Sequence, residues 1–171
     1  MGEEEVLLGL RSLIELLVTL GGEVIVPKRY SSGLLLAALG ASGWSTGYDG
    51  TLQNASRPPA PGTTGGGPGA EWYYVPTLLN SVKVATRAAL VGAGHGAVFP
   101  TGDQYDQALF GNNPTLATIS SAQERILLHQ HNLYALRRQA AALNNVTPAD
   151  RIRTMRQWVG DAKAAYNSLG W

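Results

Sequence analysis

Three histidines and a handful of acids are the residues of this 171-residue chain with types suited to proton transfer or metal binding. His129 and His131 stand two apart in a stretch of helical periodicity, so they point to different faces. A helical zinc pair needs a four-residue step. His129 falls in an apolar seam with Leu136 and Leu143, where a hydrogen-bonded core imidazole is expected. His95 lies between Gly94 and Gly96, which leaves its ring room to face solvent. With Asp103 or Asp106 it would supply the acid–base pair of a small hydrolytic enzyme. The competing reading of those two aspartates is a helix cap and a solvated side chain. Glu3, Glu4 and Glu5 are accounted for by the positive end of a helix dipole. A Gly-x-Ser-x-Gly turn and the spaced acids of a calcium loop are missing, and Gly65-Gly66-Gly67 lacks the following Lys-Ser/Thr of a phosphate loop. The absence of cysteine removes thiol catalysis, disulfides and Cys-ligated zinc or iron–sulfur centres. No catalytic residue, metal ligand or cofactor site is assigned on these grounds, and the expectation is a protein that is not an enzyme.

The remaining signals concern elements and surfaces. Charged residues make up 15% of the chain and hydrophobic ones 44%, with a formal net charge of +1. A typical soluble domain carries about 25% charge. So much uncharged surface suggests cover by a partner, and no global basic field points to nucleic acid. No apolar run of about 20 residues is present, so no membrane span is expected.

Residues 1–50 read as an N-terminal helix, a short strand and an apolar segment. Val6, Leu10, Leu13, Leu17 and Leu20 step by four and three along one helical face, and Gly21-Gly22 ends the run. Leu7, Leu8, Ile14, Leu16 and Val18 widen the stripe beyond one face. Glu23 to Val26 suits a strand that stops at Pro27. Lys28-Arg29, the apolar Gly33 to Leu39 and the small residues to Gly43 resemble a secretory signal peptide lying inside the chain. Export would require translation to begin near Val26, and the mature protein would then start at about residue 41–45. The expected location is a virion or the cytoplasm, or the periplasm if the start is near Val26.

Residues 51–76 read as a Gly/Pro-rich extended arm. Pro58, Pro59, Pro61 and Pro68 alternate with five glycines between Asn54 and Gly69, without an apolar side chain longer than alanine to offset the entropy of ordering. The aromatic cluster Trp72-Tyr73-Tyr74 closes this stretch, either as a short strand or as an anchor on another surface. Asn54-Ala-Ser56 and Asn145-Val-Thr147 match a glycosylation acceptor, the second being better explained by helix capping.

Residues 77–171 read as a helical domain. A helix is expected from Thr77 to Val91 and a short one from Asp103 to Phe110. Ser121 and Glu124 stand at capping-box spacing. Beyond them Ile126, Leu133 and Ala140 alternate with His129, Leu136 and Leu143 in a heptad seam that runs to about Leu143. Thr147-Pro148-Ala149-Asp150 starts a second helix, with a seam of Ile152, Met155, Val159, Ala162, Tyr166 and Leu169. So short a connection makes the two an antiparallel hairpin. Trp158 and Trp171 are expected on its flank or against another subunit. Residues 120–171 hold seven cations against three anions. Arg137, Arg138, Arg151, Arg153 and Arg156 flank the hairpin turn as a basic patch for an acidic partner or nucleic acid, or as a solvated surface.

The fold class expected is mainly α, with an extended arm and at most short strands. The function expected is a structural subunit of a larger assembly, such as a capsid-associated or neck component of a bacteriophage virion. Its partners would be other protein subunits, in a homo-oligomer or a hetero-assembly, met through Trp72, Tyr73, Tyr74, Trp158 and Trp171. Over residues 120–157, Gln123-Glu-Arg and the run from Asn132 to Arg138 are similar to helical minor-pilus components of conjugative secretion systems. That resemblance implies an exported helical component of a type IV secretion apparatus and carries over no functional residue.

Overall fold

A computed structural model describes residues 3–26, 32–44, 71–99 and 102–170. The protein is mainly helical, and among the described residues its short strands lie in two small sheets. The elements are α1 (Glu3–Thr19), β1 (Ile25–Val26), α2 (Ser32–Ala38), β2 (Gly43–Trp44), β3 (Trp72–Val75), β4 (Asn80–Lys83), α3 (Val84–Gly92), α4 (Gln104–Phe110), α5 (Ala122–Asn144) and α6 (Pro148–Ser168). They divide between two compact units. One takes in residues 3–26, 32–44 and 140–156, the other 71–99, 102–139 and 157–170. The arm at 51–70, Lys28-Arg29, Asn54 and Trp171 lie outside the described residues.

In the first unit, α1 stops at Gly21, whose positive φ of 78° most side chains resist. Ile14 is buried with Leu36 and Ala41, and Leu10, Val24, Val26 and Leu39 pack around them. The parallel pair β1–β2 sets Ile25 opposite Gly43 and Val26 opposite Trp44. The Trp44 indole lies against Gly33 at the start of α2, so closely that a methyl there would overlap the ring. The apolar segment that resembles a signal peptide is thus folded inward, with Leu34, Leu36, Ala37 and Ala38 buried. This unit also holds the tip of the helical hairpin, where Arg151 Nε donates to the Leu143 carbonyl near the end of α5 at 3.0 Å.

The second unit is built on the β3–β4 hairpin, with Tyr73 opposite Val82 and Tyr74 opposite Ser81. The expected helix from Thr77 is corrected here: Pro76–Leu78 form a single 3-10 turn, Asn80–Lys83 pair with β3, and α3 begins only at Val84. Leu79 makes the reversal in a left-handed conformation with φ 50°. The aromatic strand needs a backbone partner, and with β4 paired to it Leu78 in the turn and Val82 in the strand are both buried. Tyr73, Val75, Val84, Phe99, Leu109, Phe110, Ile119, Leu128 and Leu169 belong to the same core.

The two long helices form as expected. Glu124 N donates to Ser121 Oγ at 3.1 Å, and Glu124 Oε2 accepts from the Ser121 and Ser120 amides at 2.8 and 2.7 Å. Thr147 caps α6 in the same manner, its Oγ1 accepting from Asp150 N at 3.3 Å. The seam on α5 is displaced. Leu136 and Leu143 are buried as expected, but Ile126 and Leu133 are 45% and 48% exposed. The inward stripe of α5 instead runs through Leu128, His131, Asn132, Ala135 and Gln139, about 200° around the helix from Ile126 and Leu133. On α6, Met155 and Ala162 are buried, as is Leu169 just past its end, whereas Val159 is 52% exposed.

Candidate functional site

The densest polar constellation lies inside the second unit, where β3 meets α5 and the N-terminus of α4. Asp103 caps α4, its Oδ1 accepting from the Tyr105 and Asp106 amides at 3.0 and 2.8 Å. Its Oδ2 lies 2.8 Å from His131 Nδ1. His131 Nε2 lies 2.9 Å from the Tyr74 carbonyl oxygen. The two ring nitrogens therefore face two acceptor groups, a carboxylate on one side and a carbonyl on the other. The His131 ring also stacks on Tyr73, 4.3 Å between centroids and 1° from parallel. Asn132 Oδ1 accepts from Tyr74 N at 2.7 Å while its Nδ2 donates to the Trp72 carbonyl at 2.8 Å. The Tyr74 hydroxyl donates to Gln139 Oε1 at 2.6 Å.

Next to this joint, Tyr73 Oη donates to Asp106 Oδ1 at 2.7 Å. Arg87 stands over Phe110 at 3.5 Å and donates to the Pro114 carbonyl at 2.7 Å, with Asp106 3.9 Å away. Its Nε is buried with no hydrogen-bond partner among the described residues. Burial decides what this constellation does. The side chains of His131 and Asp103 are 0% and 1% exposed, so no substrate reaches them as they stand. The arrangement fastens three elements together.

His129 is half-buried, and His131 takes the interior position that the seam assigned to it. His95 is half-buried in the loop after α3. Asp103 is engaged with His131 and α4, and Asp106 with Tyr73 and Arg87. Tyr73 and Tyr74, expected as interface anchors, are fully buried in the protein's own core, because the strand they form is covered by α5. Trp72, at the outer end of the same strand, is 42% exposed, and Trp158 is half-buried. Of the basic residues, Arg137, Arg138, Arg153 and Arg156 are exposed and Arg151 is half-buried. Arg138 stands over the Tyr134 ring at 5.9 Å, and Arg153 pairs with Asp150. Arg137 and Arg138 belong to the second unit, the other three to the first.

Trp158 lines an open cavity of about 490 Å³ in the second unit. Pro76, Ala97, Val98 and Ala165 supply its apolar walls, and Thr77, Gln139 and Asp161 its polar groups. Thr77 donates to the Val98 carbonyl, and Gln139 is held by Tyr74 and by the Pro76 carbonyl. Sequence reading missed both this groove and the buried joint. The joint left one trace, a polar stripe of His131, Asn132 and Gln139 at helical spacing, which the more apolar Ile126–Leu133 stripe outweighed.

Among the described residues no group of three or more His, Asp or Glu side chains is placed to hold a metal ion, and no helix is long and apolar enough to cross a membrane. No protein-family model, no curated protein and no solved structure matches the chain.

Proposed function

We propose that this chain is a non-enzymatic structural subunit of a larger assembly, joined to neighbouring protein subunits through helix faces. A bacteriophage virion, with the chain capsid-associated or at the neck, is the setting proposed. The observation that carries the reading is the two-sided apolar character of α5. One side is buried against β3, and the other presents Ile126 and Leu133, with Tyr134 40% exposed beside them. Leaving two large aliphatic side chains about half exposed at heptad spacing forgoes roughly 0.7–1.5 kcal/mol each, relative to full burial. In the first unit α1 supports the same reading, with Leu13, Leu16, Leu17 and Leu20 exposed on one face. The test is native mass by light scattering, for the wild type and for the Ile126→Glu/Leu133→Glu double variant. A multiple of 18.1 kDa, or co-purification with fixed partners, is expected for the wild type. The double variant is expected to lose that association at unchanged helix content. A monomer that co-purifies with nothing overturns the reading.

A second reading, an exported helical component of a conjugative secretion apparatus, draws support from one observation. The second unit's core cluster is built from residues between Tyr73 and Leu169. Removal of the residues before about 44 would therefore leave every member of that cluster in place. N-terminal sequencing of the native protein separates the readings: Met1 favours the first, a start at about residue 41–45 the second.

A further inference from the structure

We propose that the groove beside Trp158 is a docking site for an arginine side chain presented between apolar residues of a partner protein. The inference rests on the assembly reading and names the chemistry of one contact. The groove's volume of about 490 Å³ suits a single long side chain and its neighbours, within the roughly 300–1,000 Å³ of ordinary ligand pockets. Its walls are apolar at Pro76, Ala97, Val98 and Ala165, which fits an aliphatic stem. Its polar groups are mostly committed already. The Thr77 hydroxyl is turned to the Val98 carbonyl, and the Gln139 amide bonds Tyr74 on one side and the Pro76 carbonyl on the other. The exception is Asp161, an exposed carboxylate that among the described residues accepts a single side-chain bond, from Gln157 Nε2 at 2.9 Å. A carboxylate has about four acceptor positions, so most of Asp161's remain available.

An aromatic ring and an anion at the edge of an apolar groove together select a cation. A guanidinium suits both at once, since it is planar, stacks on indole and pairs with a carboxylate through two parallel N–H donors. An ammonium satisfies the charge without the stacking. A purely apolar side chain would take water from the carboxylate and return no opposite charge to it. The occupant that satisfies every wall is therefore arginine.

The test uses the full chain with three peptides: acetyl-Leu-Arg-Leu-amide, the same peptide with citrulline, and the same with lysine. Binding is followed through the Trp158 indole N–H signal, assigned by its loss in Trp158→Phe. The arginine peptide is expected to shift this signal saturably. Citrulline, neutral and nearly isosteric, is expected to bind at least tenfold more weakly, and lysine several-fold more weakly. Asp161→Asn is expected to weaken the arginine peptide about tenfold while the other indole signals stay in place. Absence of a saturable shift, equal binding of arginine and citrulline, or an unaffected Asp161→Asn variant overturns the proposal. Light scattering on the same samples separates it from the assembly reading. Association without peptide binding refutes the groove alone, and peptide binding by a monomer with no partners refutes the assembly alone.

Discussion

Tyr74 and His131 show how a few side chains decide where a helix sits. Replacing His131 with leucine leaves the Asp103 carboxylate buried beside an apolar group. The expected loss is about 3–5 kcal/mol of folding stability, read from the denaturant midpoint. The same substitution at the half-buried His129 is expected to cost less than about 1 kcal/mol. Equal losses at the two positions would contradict the assignment of His131 as the interior imidazole. Tyr74→Phe removes the bond to Gln139 and is expected to cost about 1 kcal/mol, since the ring stays packed and one donor is lost. None of these partners is adjacent in sequence: Tyr74 and Gln139 are 65 residues apart. Sequence reading showed that a histidine belonged inside α5, because the helix was plain from its periodicity. It chose the wrong one, because it ranked faces by apolar content. The interior face of α5 is chosen instead by three bonds to Tyr74, made by His131, Asn132 and Gln139.

Elements whose ends carry their own chemistry were the most legible ones. Ser121 with Glu124, Thr147 with Pro148, and Asp103 each mark a helix start through local bonds, and all three starts are found. The stretch from Thr77 to Val91 was misread because its apolar residues satisfy both a helical and a strand pattern over a few positions. Pairing of Asn80–Lys83 with the aromatic strand, a contact set by tertiary structure, decided the matter. Two predictions belong here. The amide donations from Ser121 and then Ser120, with the Ser120 hydroxyl, pull the Glu124 carboxyl down from 4.5 to about 2. A depressed carboxyl pKa gives protection that is complete above the unfolded value and is lost as pH falls through the folded one. Hydrogen exchange at the Ser120 and Ser121 amides is therefore expected to rise, relative to the α5 interior, as pH drops from about 4.5 toward 2. An unchanged ratio would contradict the cap. Gly33→Ala is expected to push the Trp44 indole aside and cost about 1–3 kcal/mol, seen as a shift in indole fluorescence together with a lower melting temperature.

At the scale of the whole molecule, every described member of the second unit's core cluster lies between Tyr73 and Leu169. A chain beginning at residue 44 is expected to keep the near-ultraviolet circular dichroism that arises from Tyr73, Phe99 and Phe110. Its loss would show that the core depends on the N-terminal segment. The helix-rich class and the hairpin were legible because they follow from periodicity and capping. The buried joint and the groove were not, because each is assembled from three or more separate segments. The joint also has a mechanical consequence. Tyr74 is held by its amide, its carbonyl and its hydroxyl, all to one helix, at points spread over two turns. A pull along α5 loads those bonds side by side and not one after another, so the strand and helix resist shear as a unit. Under tension, the second unit would yield last at this joint.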